Sequence, residues 1–257
     1  MPSFPLMSEL PSSLSTRGWS WERICTSSQS SKDFWLASDR QGNKWLLKLR
    51  GSFCAYREIT FARIAQKLGW SCQSSIYVHL DSEAAQVLGR ESEEVHAAHW
   101  FMDEHAHSPC DYACPFEELA GRPIETIEDI RGVNIQHIID WPKSELAAYV
   151  FGGNEPPGRF ITIDHEFVII DSEQMFSTDP SQFGRAPWMW RNDGSYMQSG
   201  HELALTVCEE VASLSENFVR ELIFVPDDVE IEFRWPIMPK LMRSIEFARG
   251  YVRERRT

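Results

Sequence analysis

The sequence predicts an α+β fold with a small, β-rich N-terminal part and a mainly helical C-terminal part. Residues 45–69 read as an apolar strand, a short polar turn and an amphipathic helix over Tyr56–Leu68, and a second, short helix is predicted at Ser82–Leu88. Two further short strands, Phe160–Thr162 and Phe167–Ile170, are separated by a polar turn, as in a hairpin. Near the C-terminus, apolar residues recur at the spacing of helices that pack on a core.

The predicted strand contains a single lysine, Lys48, between Leu47 and Leu49. A lone ammonium in a buried strand is costly unless a fixed anion lies beside it. Glu58 lies near the start of the predicted helix, where it can point back at the strand. We therefore expect Lys48 and Glu58 to pair. The alternative is a solvent-facing lysine on an edge strand beside an ordinary surface helix.

Carboxylates follow the predicted hairpin. Asp171 comes directly after the run Phe167–Ile170, and Glu173 lies two positions further on. A carboxylate at the end of a buried strand can reach into a cleft and hold a metal ion. A helix with an apolar face at Leu146 and Val150 precedes this hairpin.

A cluster of histidines and cysteines lies in the middle of the chain, with His99 close by. Two imidazoles and two thiolates can complete the tetrahedral shell that zinc prefers, and Pro109 could turn the segment around the ion. The spacing is not that of a common zinc finger, so the alternative is a linker with reduced thiols. The candidate zinc ligands are His105, His107, Cys110 and Cys114.

The order and spacing of these features resemble the HipA-like and phosphatidylinositol-kinase-like branch of the protein-kinase-like superfamily. The resemblance covers residues 27–175, more than half of the chain. The motifs that carry it are Lys48, the Tyr-Arg-Glu turn at 56–58, the run Ile64–Gly69, the Gly-Gly-Asn-Glu-Pro-Pro-Gly-Arg loop at 152–159, and Ile170–Glu173.

The resemblance implies a two-lobed protein-kinase-like fold. Residues 1–18 would form a loose N-terminal arm, and residues 19–104 a small β-rich lobe that binds nucleotide. Residues 105–257 would form a mainly helical lobe containing the catalytic-loop-like segment, the metal-binding hairpin and a helical tail.

The activity implied by the resemblance is ATP-dependent phosphate transfer with Mg²⁺. Lys48 would hold phosphates, Glu58 would orient Lys48, and Asp171 with Glu173 would bind the metal. The residues expected to contact nucleotide, besides Lys48, form a Ser-rich turn and a segment near the adenine. They are Ser27, Ser28, Ser30, Lys32, Met102, Asp103 and Glu104.

The loop at 152–159 departs from the family pattern. Family members carry an aspartate there and a metal-binding asparagine five positions later, and neither is in place. Glu155 is a candidate base for a substrate hydroxyl, since a carboxylate is the chemistry required. Arg159 stands where an asparagine is expected. Three alternatives follow: an active phosphotransferase, a catalytically inactive pseudokinase that binds nucleotide or zinc as an interaction or regulatory module, or neither.

The composition of the chain limits the kinds of partner that we expect it to bind. The chain has 257 residues and a formal net charge of −13, which opposes binding to nucleic acid or an anionic membrane surface. It has no apolar run long enough to span a bilayer, and its first residues lack the features of a signal peptide. Scattered cysteines fit a reducing cytoplasm. We expect a cytoplasmic kinase-like protein acting on a protein substrate; the family also includes toxins of toxin–antitoxin pairs.

Overall fold

The computed structural model describes residues 5–23, 34–101, 143, 146–154, 157–161, 167–170, 172–180, 194–223, 225–229 and 237–256. The chain divides into two compact units. The first unit comprises residues 1–103 and 222–235, and the second comprises residues 104–221 and 236–257. No helix in the described part of the chain is long and apolar enough to cross a membrane.

The first unit is built on a six-stranded sheet with the order β1-β5-β6-β4-β3-β2. β1 pairs with β5 in parallel, and every other neighbouring pair is antiparallel. β1 belongs to the stretch expected to form a loose arm. The strands are β1 (Ser13–Ser15), β2 (Ser20–Arg23), β3 (Phe34–Ser38), β4 (Lys44–Lys48), β5 (Ser75–His79) and β6 (Val95–Trp100).

One face of this sheet is covered by tryptophans and by helix α2 (Ser82–Leu88). Trp45 is 1% exposed and stacks on Trp19, with 6.1 Å between ring centroids. Asp81 caps the start of α2 by accepting the Ala84 N–H at 3.0 Å. The bounds of α2 agree with the short helix predicted over this segment.

The other face packs against the long helix α1 (Gly51–Lys67). Gly51 has φ +79°, which a glycine adopts without strain at the sharp turn out of β4. The helix begins earlier than the predicted Tyr56, so Glu58 lies in its middle rather than near its start. Phe61 and Ala65 are fully buried, as the apolar periodicity predicted.

A segment from late in the chain completes the first unit. Val229 is buried against Ala55 and Ile59 of α1, and Val225 packs on the same cluster. Asp228 accepts a hydrogen bond from Ser13 Oγ at 2.8 Å, which ties the segment to β1. The helix α1 is therefore held between the sheet and residues 225–229.

The second unit contains an antiparallel hairpin, β7 (Gly158–Ile161) and β8 (Phe167–Ile170), close to the strands that the sequence predicted. Residues 146–150 are helical, and Leu146 and Val150 are buried, as their spacing predicted. The apolar stripes predicted near the C-terminus are buried at Val207, Val211, Leu241 and Ile245. The remaining helices are α3 (Gly194–Ala212), α4 (Glu216–Leu222, whose last residue joins the first unit) and α5 (Ile237–Arg256).

Candidate functional site

Lys48 ends the central strand β4 on the face of the sheet that meets α1. Its Cα partner on β6 is Ala97, which packs in the core beneath α1. The preceding residue, Leu47, points to the opposite, tryptophan-rich face. Alternation along the strand therefore directs the lysine into the protein, and it is only 4% exposed.

Glu58 is the anion that meets this lysine. It is 2% exposed in the middle of α1, and its Oε1 lies 2.5 Å from Lys48 Nζ. The neighbouring Ile59 packs with the sheet core, which fixes the rotation of the helix and the direction of the glutamate. The predicted pairing of Lys48 with Glu58 is present in the structure.

A histidine approaches the second oxygen of Glu58. His99 Nε2 lies 3.3 Å from Glu58 Oε2, within ion-pair range but not aligned as a hydrogen bond. Among the described residues, neither atom has a hydrogen-bond partner of good geometry. The other ring nitrogen, Nδ1, lies 2.7 Å from Ser75 Oγ, and His99 is 2% exposed. The carboxylate is thus flanked by Lys48 and His99.

Lys48 and His99 stabilise the charged form of Glu58. Burial by itself raises the pKa of Glu58, but the Lys48 ammonium and then His99 outweigh burial and lower that pKa to about 2. Burial, and after it the negative charge of Glu58, raises the pKa of the nearby Cys72 thiol. Glu58 is therefore a permanent carboxylate at neutral pH, and Cys72 is an inert thiol.

The start of α1 is anchored by a second histidine. The Gly51 N–H donates to His96 Nδ1 at 3.0 Å, and His96 Nε2 lies 3.0 Å from Glu94 Oε2. Burial is the largest influence on this ring and lowers the pKa of His96, while Glu94 opposes the effect. A neutral ring that accepts at Nδ1 takes the place of a local N-cap, since Arg50 makes no side-chain cap. This contact holds the helix that carries Glu58.

In the second unit, the predicted catalytic loop lies against the turn that follows β8. The Thr178 N–H donates to Gly152 O at 2.8 Å, and the Phe176 N–H donates to Phe151 O at 2.9 Å. Gly152 has φ +65°, and a Cβ there would lie 2.1 Å from the Thr178 carbonyl oxygen. Phe176 also adopts a positive φ, 61°, which is strained for a bulky residue. The start of the predicted loop is therefore fixed through its backbone to the segment that follows β8.

Of the predicted magnesium ligands, Glu173 lies half-buried in the turn at residues 173–176, directly after β8. Among the described residues, no group of three or more His, Cys, Asp and Glu side chains is arranged to hold a metal ion. The other predicted site residues lie outside the described part of the chain and stay predictions. These are Ser27, Ser28, Ser30, Lys32, Met102, Asp103, Glu104, His105, His107, Cys110, Cys114, Glu155 and Asp171.

The roles of His99 and Ser75 were not predicted from the sequence. His99 was noted only as a neighbour of the candidate zinc ligands. The sequence could have indicated the position of His99, because side chains two and four residues apart on a strand point to the same face, and those of Val95 and Ala97 face α1. Ser75 offered no such signal, since its contact depends on the pairing of β5 with β6.

Comparison with solved structures gives a weak structural likeness to a kinase. The crystal structure of a Helicobacter pylori proinflammatory kinase, CtkA, matches 93% of this chain and 98% of its own chain, with 8% sequence identity and a TM-score of 0.46. No family model matches the chain, and no curated protein matches its sequence. At this level of similarity, the function has to be inferred from the residues of the chain itself.

Proposed function

We propose that this protein is a kinase-like phosphotransferase that uses ATP with Mg²⁺. The observation that carries the proposal is the buried Lys48 and Glu58 pair, which joins the central strand to the adjoining helix. A buried ion pair contributes little net stability compared with apolar residues of the same volume. Its presence is better explained by a need for an ammonium at a fixed position, which is what phosphate binding requires.

The predicted catalytic residues and His99 have distinct roles in this proposal. Lys48 binds phosphate oxygens, and Glu58 holds the ammonium in place while His99 steadies the second carboxylate oxygen. Asp171 and Glu173 would hold Mg²⁺, which supplies neutralisation of the phosphate charge when it is bound. Glu155 would accept the proton of the acceptor hydroxyl.

The finer assignment is to the HipA-like type of kinase, with a protein as the phosphate acceptor. The support for it is the order of motifs in the sequence and the contact between the loop at 151–154 and the turn at 173–176. The Phe176 N–H donates to Phe151 O, and the two rings meet edge to face with centroids 5.9 Å apart. This contact joins Phe151 to Phe176, and the proposal takes Glu155 and Asp171, which lie close to them in the sequence, to act on the same substrate.

Nucleotide binding is tested first by thermal unfolding with and without ATP and Mg²⁺. A ligand that binds only the folded state stabilises it, by about 2.7 kcal/mol at a hundredfold excess over its Kd. We expect a raised midpoint for the wild type and for Lys44→Met, a matched lysine on the same strand. The double variant Lys48→Met with Glu58→Gln removes both charges together, so it should fold and lose the shift. An unchanged wild-type midpoint at millimolar nucleotide would refute the proposal.

Phosphate transfer is tested separately with labelled ATP. We expect the wild type to label itself or a protein in a lysate, and Glu155→Gln to lower transfer by roughly 10²- to 10⁴-fold, the contribution of a positioned base. Glu155→Gln should leave the thermal shift intact, because a base faces the acceptor hydroxyl rather than the phosphates. Nucleotide binding without any labelling, with Mg²⁺ or Mn²⁺, would favour the pseudokinase alternative, for which the altered loop at residues 152–159 is the supporting feature.

A further inference from the structure

The first unit contains a cavity of about 540 Å³ that is separate from the Lys48 and Glu58 pair. Its volume lies within the usual range of small-molecule sites, about 300–1,000 Å³. Its walls come from the N-terminal segment, α1, β5 and the end of α4. Its lining includes Leu6, Met7, Ile59, Arg63, Lys67, Ser75, Tyr77 and Leu222.

The N-terminal segment forms one wall of the cavity and is held there by specific hydrogen bonds. The Met7 N–H donates to Gln66 Oε1 at 2.9 Å, and Ser74 Oγ donates to Pro5 O at 2.5 Å. Gln66 in turn donates to Ser74 Oγ at 2.8 Å. These bonds fasten the segment to α1 and to Ser74, the residue before β5, so the cavity has a fixed wall on this side.

The lining contributed by α1 changes from apolar to cationic along one stripe of the helix. Ile59 is 3% exposed, Arg63 is half-buried, and Lys67 is exposed at the end of the helix. Residues four apart lie above one another on a helix, so these three side chains follow one line along the cavity. Leu6, Met7 and Leu222 add apolar surface.

A buried hydroxyl accompanies the cations. Tyr77 is 1% exposed, and its hydroxyl has no hydrogen-bond partner among the described residues. Arg63 lies close enough to influence the charge of Tyr77 and opposes the effect of burial on its pKa. An unsatisfied buried hydroxyl is costly, and a ligand oxygen would satisfy it.

We propose that this cavity binds a small amphipathic acid, with its carboxylate at Arg63 and Tyr77 and its hydrocarbon chain against Ile59, Met7 and Leu222. The guanidinium and the hydroxyl supply donors that a carboxylate accepts. The apolar walls remove the hydrocarbon chain from water. A cavity of this volume suits a small molecule.

The test is binding of sodium decanoate to the full chain, compared with the neutral decan-1-ol, by calorimetry and thermal shift. We expect saturable decanoate binding at least about tenfold tighter than decanol binding, the effect of a hydrogen bond to a charged group. Arg63→Gln and Tyr77→Phe should weaken decanoate selectively. Arg40→Gln, an arginine in the turn between β3 and β4, should leave its affinity unchanged.

Three outcomes would overturn the proposal: no saturable binding, equal affinity for acid and alcohol, or unchanged decanoate affinity in Arg63→Gln. An acidic apolar peptide that binds where decanoate does not would also overturn it and would assign the cavity to a protein ligand. The wild-type measurements need no variant to fold, so the proposal stays testable if Tyr77→Phe proves unstable.

The cavity borders the candidate phosphate site through Ser75, which lines it and contacts His99 beside Glu58. We therefore expect decanoate and ATP with Mg²⁺ to change each other's affinity by the same factor, since binding coupling is reciprocal. This step rests on the proposed function. Decanoate binding without nucleotide binding would refute the kinase proposal and leave the acid site standing, whereas two independent affinities would refute the coupling alone.

Discussion

Replacing Lys48 with methionine is expected to reverse the pH dependence of stability that Glu58 contributes. In the wild type the Lys48 ammonium and His99 hold the pKa of Glu58 near 2, below its value in an unfolded chain. A lowered pKa gives stability that is complete above the unfolded pKa and is lost as the pH falls through the folded one. Without the ammonium, burial dominates and raises the pKa of Glu58 instead. Stability is then greatest at low pH and is lost as the pH rises.

The magnitude follows from burial and charge. In the wild type, the difference between an ordinary glutamate pKa and about 2 corresponds to about 3 kcal/mol. Lys48 and Glu58 are 4% and 2% exposed, so removing one partner leaves a buried charge. Such a removal costs about 3–5 kcal/mol at neutral pH. His99 faces Glu58 from β6 and offsets part of this cost, which places the expectation near the lower end of that range.

The measurement is urea unfolding, followed by tryptophan fluorescence, at a series of pH values from neutral towards about pH 4. Lys48→Met should gain stability as the pH falls from neutral, because Glu58 then takes up a proton. The double variant Lys48→Met with Glu58→Gln carries no buried carboxylate, so it should lack that gain and lose less stability than the single variant. If Lys48→Met costs less than about 1 kcal/mol, as an exposed ion pair would, and keeps the wild-type pH dependence, the reasoning is refuted.

Three further predictions concern other parts of the chain. Burial lowers the pKa of His96, so the stability that its contact with Gly51 contributes should be complete above the unfolded pKa and lost as the pH falls through the lowered one. In acid, the amides at the start of α1 should lose protection from hydrogen exchange relative to their intrinsic rates, and His96→Gln should not show this change. Gly152→Ala should destabilise the protein by at least about 1–3 kcal/mol, because φ at this position is positive and a Cβ would lie 2.1 Å from a carbonyl oxygen. Gly250→Ala in α5, where a Cβ meets nothing, should be neutral or stabilising in the same denaturation assay. For the predicted zinc site, we expect elemental analysis to find about one zinc per chain and Cys110→Ser to lose it; a metal-free wild type would contradict the site.

The sequence predicted the Lys48 and Glu58 pair because both signals are local. A single cation interrupts an apolar strand, and the next helix supplies an acid. The start of α1 was not predicted, because its N–H group is satisfied by His96, a side chain from a distant strand, rather than by a nearby capping residue. The packing of Val229 on α1 was missed for the same reason, since no local periodicity encodes a contact across so much of the chain.

The helix α1 links three features of the first unit. Its start is fixed to His96, its middle carries Glu58, and its last turns line the cavity with Arg63 and Lys67. Glu58 touches residues from two strands, so a small rotation or shift of α1 would change both of its contacts together. Packed interfaces of this kind tend to switch between discrete arrangements rather than deform gradually. A ligand that prefers one position of α1 would therefore change the position of the Lys48 ammonium without touching it. A variant that loosens the start of the helix should weaken this effect while leaving the cavity residues in place.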